Sequence, residues 1–173
     1  KHNQVTHVYL RQSHQGIEVF NAVANVNIWQ GRVLNMGSSF VSNLQAKVNT
    51  TVPTLTPMRA IEAAASALNL QGDEALRVLE VKSTTSFIFS KGGISLENIP
   101  VKLMYQSLPE AEVRLAWDLS IYEPSTEHWW SLRVDAINEQ QFFDPERARS
   151  KFDVFTIAGQ FIGASTVDFH RRE

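Results

Sequence analysis

Hydrophobic and polar residues alternate with a period of two along most of this chain, and one stretch only has the period of a helix. Val5–Arg11 is rich in β-branched and aromatic residues and predicts a strand. Ser13-His14-Gln15-Gly16 supplies a turn, with Gly16 free to take positive φ. In the longer run that follows, Phe20, Ala22, Ala24, Val26 and Ile28 fall on one face, while Glu18, Asn21, Asn25 and Asn27 lie outside that stripe. Gln30-Gly31 makes a second turn, and Arg32–Val41 returns with Leu34, Met36 and Phe40 in register. Three strands joined by short Gly turns predict an antiparallel meander.

The pattern breaks over Ser42–Pro57, where Asn43, Asn49, Pro53 and Pro57 interrupt any period and predict a loop or linker. A helix starts next. Thr56 is a good N-cap, and Pro57 at the first helical position loses no hydrogen bond. Met58, Ile61, Ala65 and Leu68 recur at helical spacing, and the Ala-rich Ala60–Ala67 suits close approach to a sheet. Gln71-Gly72-Asp73 is expected to end it.

Strand patterns then resume at Leu76–Lys82, Thr84–Ser90 and Val101–Gln106, with Lys91-Gly92-Gly93 as a turn. The clearest is Glu112–Tyr122, with Val113, Leu115, Trp117, Leu119 and Ile121 on one face. His128–Ala136 returns with Trp130, Leu132, Val134 and Ala136 on one face, which predicts a hairpin. Asp144–Lys151 reads as a short polar helix or turn, and Val154–Ile157 with Phe161–Val167 as a last hairpin. The fold class is α+β: an antiparallel sheet meander followed by a helix-plus-antiparallel-sheet unit. The expected boundaries are 1–42 for the meander, 43–56 for the linker and 57–138 for the second unit; 139–173 stays unassigned.

Composition narrows the functional classes. At 43% hydrophobic and 20% charged, the 173 residues suffice for a globular core. A formal charge of -2 gives no basic excess for a nucleic-acid backbone. The absence of cysteine excludes disulfides, thiolate zinc sites and cysteine nucleophiles. No apolar run approaches the ~20 residues of a membrane helix. The chain begins at Lys1 without Met or a signal-peptide core, which points to a processed piece of a longer polypeptide.

Candidate chemistry is sparse. His2, His7, His14, His128 and His170 are scattered, and no HExxH occurs. Asp118 and Asp135 lie on the polar faces of the expected hairpin, where solvation or pairing with neighbours such as Arg114 and Arg133 is the ordinary alternative to acid/base work. Gly37-Ser38-Ser39 and Gly163-Ala164-Ser165 are not nucleophile elbows. Trp129 belongs to the face opposite Trp117 and Trp130; exposed there, it could anchor a partner or stack on a sugar, and burial under a helix or loop is the alternative. Asn49-Thr50-Thr51 is a glycosylation sequon, a pattern frequent by chance. The residues alone describe a binding or structural piece.

The string Thr6-His7-Val8-Tyr9-Leu10-Arg11-Gln12, then Gly16-Ile17-Glu18-Val19-Phe20-Asn21-Ala22, resembles the fungalysin/thermolysin propeptide (FTP) domain. Ala24–Ile28 and Gly31–Phe40 continue the match, which fits the fungalysin branch best. Trp117 and Trp130–Ala136 resemble the PepSY-like half of such propeptides. The resemblance implies the prosegment of a secreted zinc metalloprotease, which templates folding of the catalytic domain and blocks its cleft until cleaved. It implies no catalytic residue, metal or cofactor in the chain itself, and the protease catalytic domain as partner, with no nucleic acid and no membrane. Phe142–Glu173 matches nothing in the family pattern. Candidate partner-binding residues are Trp129, Arg133 and Asp135. The alternative is a stand-alone secreted module that binds a peptide along a sheet edge or a glycan on Trp129.

Overall fold

A computed structural model describes residues 4–108, 112–125 and 128–138, and the backbone of 154–157. Strands β1 (Val5–His14), β2 (Ile17–Trp29) and β3 (Arg32–Ser38) form the antiparallel meander. Both turns are tight two-residue links with positive φ throughout: Gln15 and Gly16 at 49° and 80°, Gln30 and Gly31 at 46° and 74°. This left-handed geometry matches the twist of the strands it joins. Ser13 and His14, expected in the first turn, extend β1 instead.

The single-face stripe expected for β2 does not hold. Asn21 adopts φ 56°, and the β1–β2 register slips between Arg11 and Ser13. Such an irregularity exchanges the two faces of a strand. Ile17 and Val19 are therefore buried with Ala22 and Ala24, while Phe20 points the other way. Here β2 also leaves β1 and makes one parallel bridge, Val19 to Tyr105, with the second sheet. A second slip sits at Leu34, because Asn27 pairs with Asn35 and Ile28 with Val33. Val33 and Met36, rather than Leu34 and Met36, share a face.

The second sheet contains β4 (Val78–Ser83), β5 (Ser86–Phe89), β6 (Ile99–Ser107), β7 (Val113–Tyr122), β8 (Trp129–Asp135) and β9 (Val154–Ile157). Its neighbours run β4-β5-β6-β7-β8-β9, antiparallel except for the parallel pair β8–β9. The β7–β8 hairpin has the expected faces: Trp117 opposes Val134, Leu119 opposes Leu132 and Ile121 opposes Trp130, all buried. Val154–Ile157 is a strand, but it docks alongside β8 rather than opening on a described hairpin partner. Asp144–Lys151 and Phe161–Val167 lie outside the described residues.

The stretch expected as a plain loop holds a short helix, α1 (Leu44–Lys47). The main helix, α2 (Pro57–Ala67), starts as expected: the Thr56 hydroxyl accepts from the Arg59 N–H at 3.3 Å. It ends earlier than expected, at Leu68 followed by Asn69 in the left-handed region. Asn is a common residue for that stop. The helix buries Ala60, Ile61, Ala63, Ala64 and Ala65 against the inner face of β7 and β8. Its small side chains let backbone and sheet approach closely, and Ile61, fully buried, contributes about 1.5–3 kcal/mol.

The segment before α2 is strapped across the sheet. The Trp117 indole N–H donates to the Leu55 carbonyl at 2.7 Å, and the Thr54 and Leu55 N–H groups both donate to the Ala136 carbonyl at 2.9 Å. The Tyr105 hydroxyl donates to the Thr50 carbonyl, and the Asn49 side-chain oxygen accepts from the Leu115 N–H at 2.9 Å. One hydrophobic cluster runs from Ile17, Val19 and Ala22 through Leu44 and Leu55 to α2 and β5–β8. Asn49→Ala leaves the Leu115 N–H without its acceptor and is expected to cost about 1–3 kcal/mol in urea unfolding. A loss within ~0.5 kcal/mol, the range of a neutral surface change, would contradict this role.

Candidate partner-binding site

The face of the second sheet opposite α2, its outer face, carries a charged ladder. Lys102, Asp118 and Arg133 are direct neighbours across β6, β7 and β8. The Arg133 Nη1 donates to the Asp118 carboxylate at 3.0 Å and to the Ser131 hydroxyl at 3.4 Å. The Phe20 ring lies 3.8 Å from the guanidinium carbon, within cation–π range. Arg133 is wholly buried, and its Nε and Nη2 have no hydrogen-bond partner among the described residues. Burial pushes Arg133 down and Asp118 up from their usual values, each opposed by the charge of the other. Asp135, also wholly buried, accepts from Arg114 at 2.8 Å and from the Ile137 N–H at 2.8 Å. Arg114 also pairs with Glu112, and these carboxylates raise its pKa.

The Glu18 carboxylate of β2 bridges to Lys102 at 3.0 Å and to Arg11 at 3.4 Å. The hydrogen bond from Lys102 holds Glu18 below the usual carboxylate range, against a smaller opposing effect of burial. At the far end of the β7–β8 hairpin, Glu123 accepts from the Ser125 hydroxyl and the Trp130 indole, and its carboxylate lies 3.1 Å from the His128 ring. Burial pushes Glu123 up, but these hydrogen bonds together outweigh it and hold the carboxyl low. A carboxylate with a lowered folded pKa adds stability at neutral pH, and that stability is lost as pH falls through the folded value. The double variant Glu18→Gln/Glu123→Gln is therefore expected to lose less Tm on acidification from about pH 7 to pH 3 than the parent chain. An unchanged slope would contradict the assignment.

Two exposed apolar surfaces stand beside this network. Trp129 stacks on Tyr122 with ring centroids 5.3 Å apart, and it is 49% exposed. The meander presents the second. Val8, Leu10, Val26, Ile28, Val33 and Met36 lie on one of its faces by register. Val33 and Met36 are 62% and 65% exposed. The opposite face is mixed: Tyr9, Val23 and Trp29 are exposed there, beside an Asn27 amide that donates to Asn35 at 2.6 Å and accepts opposite His7.

Of the residues singled out from the sequence, Trp129 is thus at the surface, whereas Arg133 and Asp135 are buried and engaged by Asp118 and Arg114. Asp118 and Asp135 each face an arginine rather than each other. Asn49 is exposed, but its side-chain oxygen holds β7. Of the meander's apolar face, Val26, Ile28 and Met36 were legible in the expected stripes, and those stripes gave no sign that Val33 and Met36 are exposed. Among the described residues, no group of three or more His, Asp or Glu side chains could hold a metal ion, and no helix is long and apolar enough to cross a membrane.

The exposed meander coincides with a known sequence family. Residues 1–40 match the Fungalysin/Thermolysin Propeptide Motif. Extracellular metalloproteinase mep of Aspergillus niger is 31% identical over 137 residues, covering 78% of this chain and 21% of its own length. The mep protein of Aspergillus terreus is 32% identical over 142 residues, covering 78% of this chain and 22% of its own. Extracellular metalloproteinase 9 of Coccidioides posadasii is 29% identical over 140 residues, covering 78% and 22%. This chain therefore carries a fungalysin/thermolysin propeptide motif. Over the aligned region it is homologous to fungal extracellular metalloproteinases, and it spans about a fifth of the length of the curated relatives it matches.

Proposed function

We propose that this chain is the prosegment of a secreted fungalysin-type zinc metalloprotease, non-catalytic itself, which templates the folding of the catalytic domain and inhibits it. The observation that carries this reading is where the propeptide motif falls. It covers the meander, whose apolar face of Val8, Leu10, Val26, Ile28, Val33 and Met36 is half-buried to exposed. A sheet face of this kind gains most by packing against a second folded body. The helix-and-sheet unit over 57–138 is, on the same reading, the PepSY-like half of the prosegment. Trp129 is a direct contact for the partner, while Arg133 and Asp135 fix β8 behind it.

The stacked Trp129–Tyr122 pair favours a second reading, a stand-alone secreted module that docks a peptide or glycan on these rings. The coding sequence beyond Glu173 separates the two. The prosegment reading expects it to continue into a domain with HExxH. A stop codon soon after Glu173 would overturn it and leave the module.

A further inference from the structure

The outer face of the second sheet holds a cavity of about 360 Å³ that the network above does not fill. Lys82, Ser86, Lys102, Asp118, Ser120 and Ser131 line it, drawn from β4 through β8. Arg133 stands behind its wall, because Nη1 donates to Asp118 and Ser131, two of the lining side chains. The lining itself carries two cations, Lys82 and Lys102, against one anion, Asp118, with Glu18 and Glu80 beside it and Arg133 behind it. Asp118 is committed to Arg133 and Glu18 to Lys102, while Lys82 has no ion pair among the described residues.

Arg133 adds a second, independent sign. It is wholly buried, and among the described residues its Nε and Nη2 have no acceptor and the partly exposed Asp118 carboxylate is its ion-pair partner. A buried guanidinium with so few partners leaves positive potential in a poorly solvated region. Burial raises the Asp118 carboxyl above its usual value, against the charge of Arg133. Three serine hydroxyls are at hand to donate hydrogen bonds. A lysine with no ion pair among the described residues, several hydroxyl donors and room for a short side chain suit a single negative charge.

We propose that this cavity binds the carboxylate of an acidic peptide side chain, held by Lys82 and Lys102 and by the hydroxyls of Ser86, Ser120 and Ser131. Binding of this kind does not depend on the chain's being a prosegment, so it stands or falls separately from that reading.

The test uses the whole chain, labelled with nitrogen-15, and two blocked peptides, acetyl-Gly-Glu-Gly-amide and acetyl-Gly-Gln-Gly-amide. The glutamate peptide is expected to give saturable amide shifts at Lys82, Lys102, Ser120 and Ser131. The glutamine peptide is expected to bind at least about fivefold more weakly, since it lacks the charge-assisted contacts. Raising the salt should weaken the glutamate peptide alone. Lys82→Ala, at an exposed position, should weaken it about threefold and leave amide shifts remote from the cavity unchanged. Equal binding of the two peptides, shifts that map elsewhere, or unaltered affinity in both Lys82→Ala and Ser131→Ala would overturn the assignment.

Discussion

Arg133→Ala is expected to lower the unfolding free energy by about 3 kcal/mol, the low end of the range for breaking a buried ion pair. Asp118 keeps some contact with water, with 28% of its side chain exposed, so its stranded charge is partly relieved. Other losses add to this one. The cation–π contact with Phe20 disappears, and Phe20 follows Val19, the residue that bridges β2 to the second sheet. The substitution should therefore loosen the meander's attachment as well as β8. Arg133→Met with Asp118→Asn removes both charges and keeps most of the volume, and it should recover most of the loss. Urea unfolding of the two variants checks this. A change below ~1 kcal/mol in Arg133→Ala would mean that the pair carries little of the fold.

The second large effect concerns the meander. Val33→Asp/Met36→Asp is expected to weaken inhibition of the protease catalytic domain by about 30- to 100-fold, or about 2–3 kcal/mol. Both side chains are already in water, so stability should change by no more than ~0.5 kcal/mol for each. The substitutions place charge where the account puts a desolvated contact. Tyr9, 75% exposed, lies on the opposite face by its pairing with Asn25. Tyr9→Asp is the matched control and should leave inhibition unchanged. Equal losses from the two faces would show that the apolar stripe is not the contact.

The β7–β8 hairpin was legible because strict alternation there has one cause. One face meets α2, and the alternating apolar positions of both strands fall on it. The partnering of Asp118 and Asp135 with Arg133 and Arg114 was one of two readings, beside solvation, since opposite charges across neighbouring strands attract. Their depth was not legible. Both lie on the polar side of the pattern, and Arg133 is covered by Phe20 from a strand more than a hundred residues earlier. A period-two pattern records which face a residue is on and says nothing of what a distant strand lays over that face. The reversal at Asn21 was hidden for a related reason. A left-handed asparagine inserts a bulge without altering the alternation of residue types. Ile17 and Val19 therefore carry the core contact that the stripe assigned to Phe20.

The propeptide motif itself was readable as a string, because its order of residues is specific in combination. The string could not show that its stripe faces outward. That took the register of three strands and the exposure of Val33 and Met36.

The most direct measurement is a titration of the mature catalytic domain, encoded downstream on the prosegment reading, with this chain in trans while peptide hydrolysis is followed. Inhibition with a constant below about 1 μM, near -8 kcal/mol, is predicted. An effect absent or weaker than about 1 mM, near -4 kcal/mol, would contradict the account.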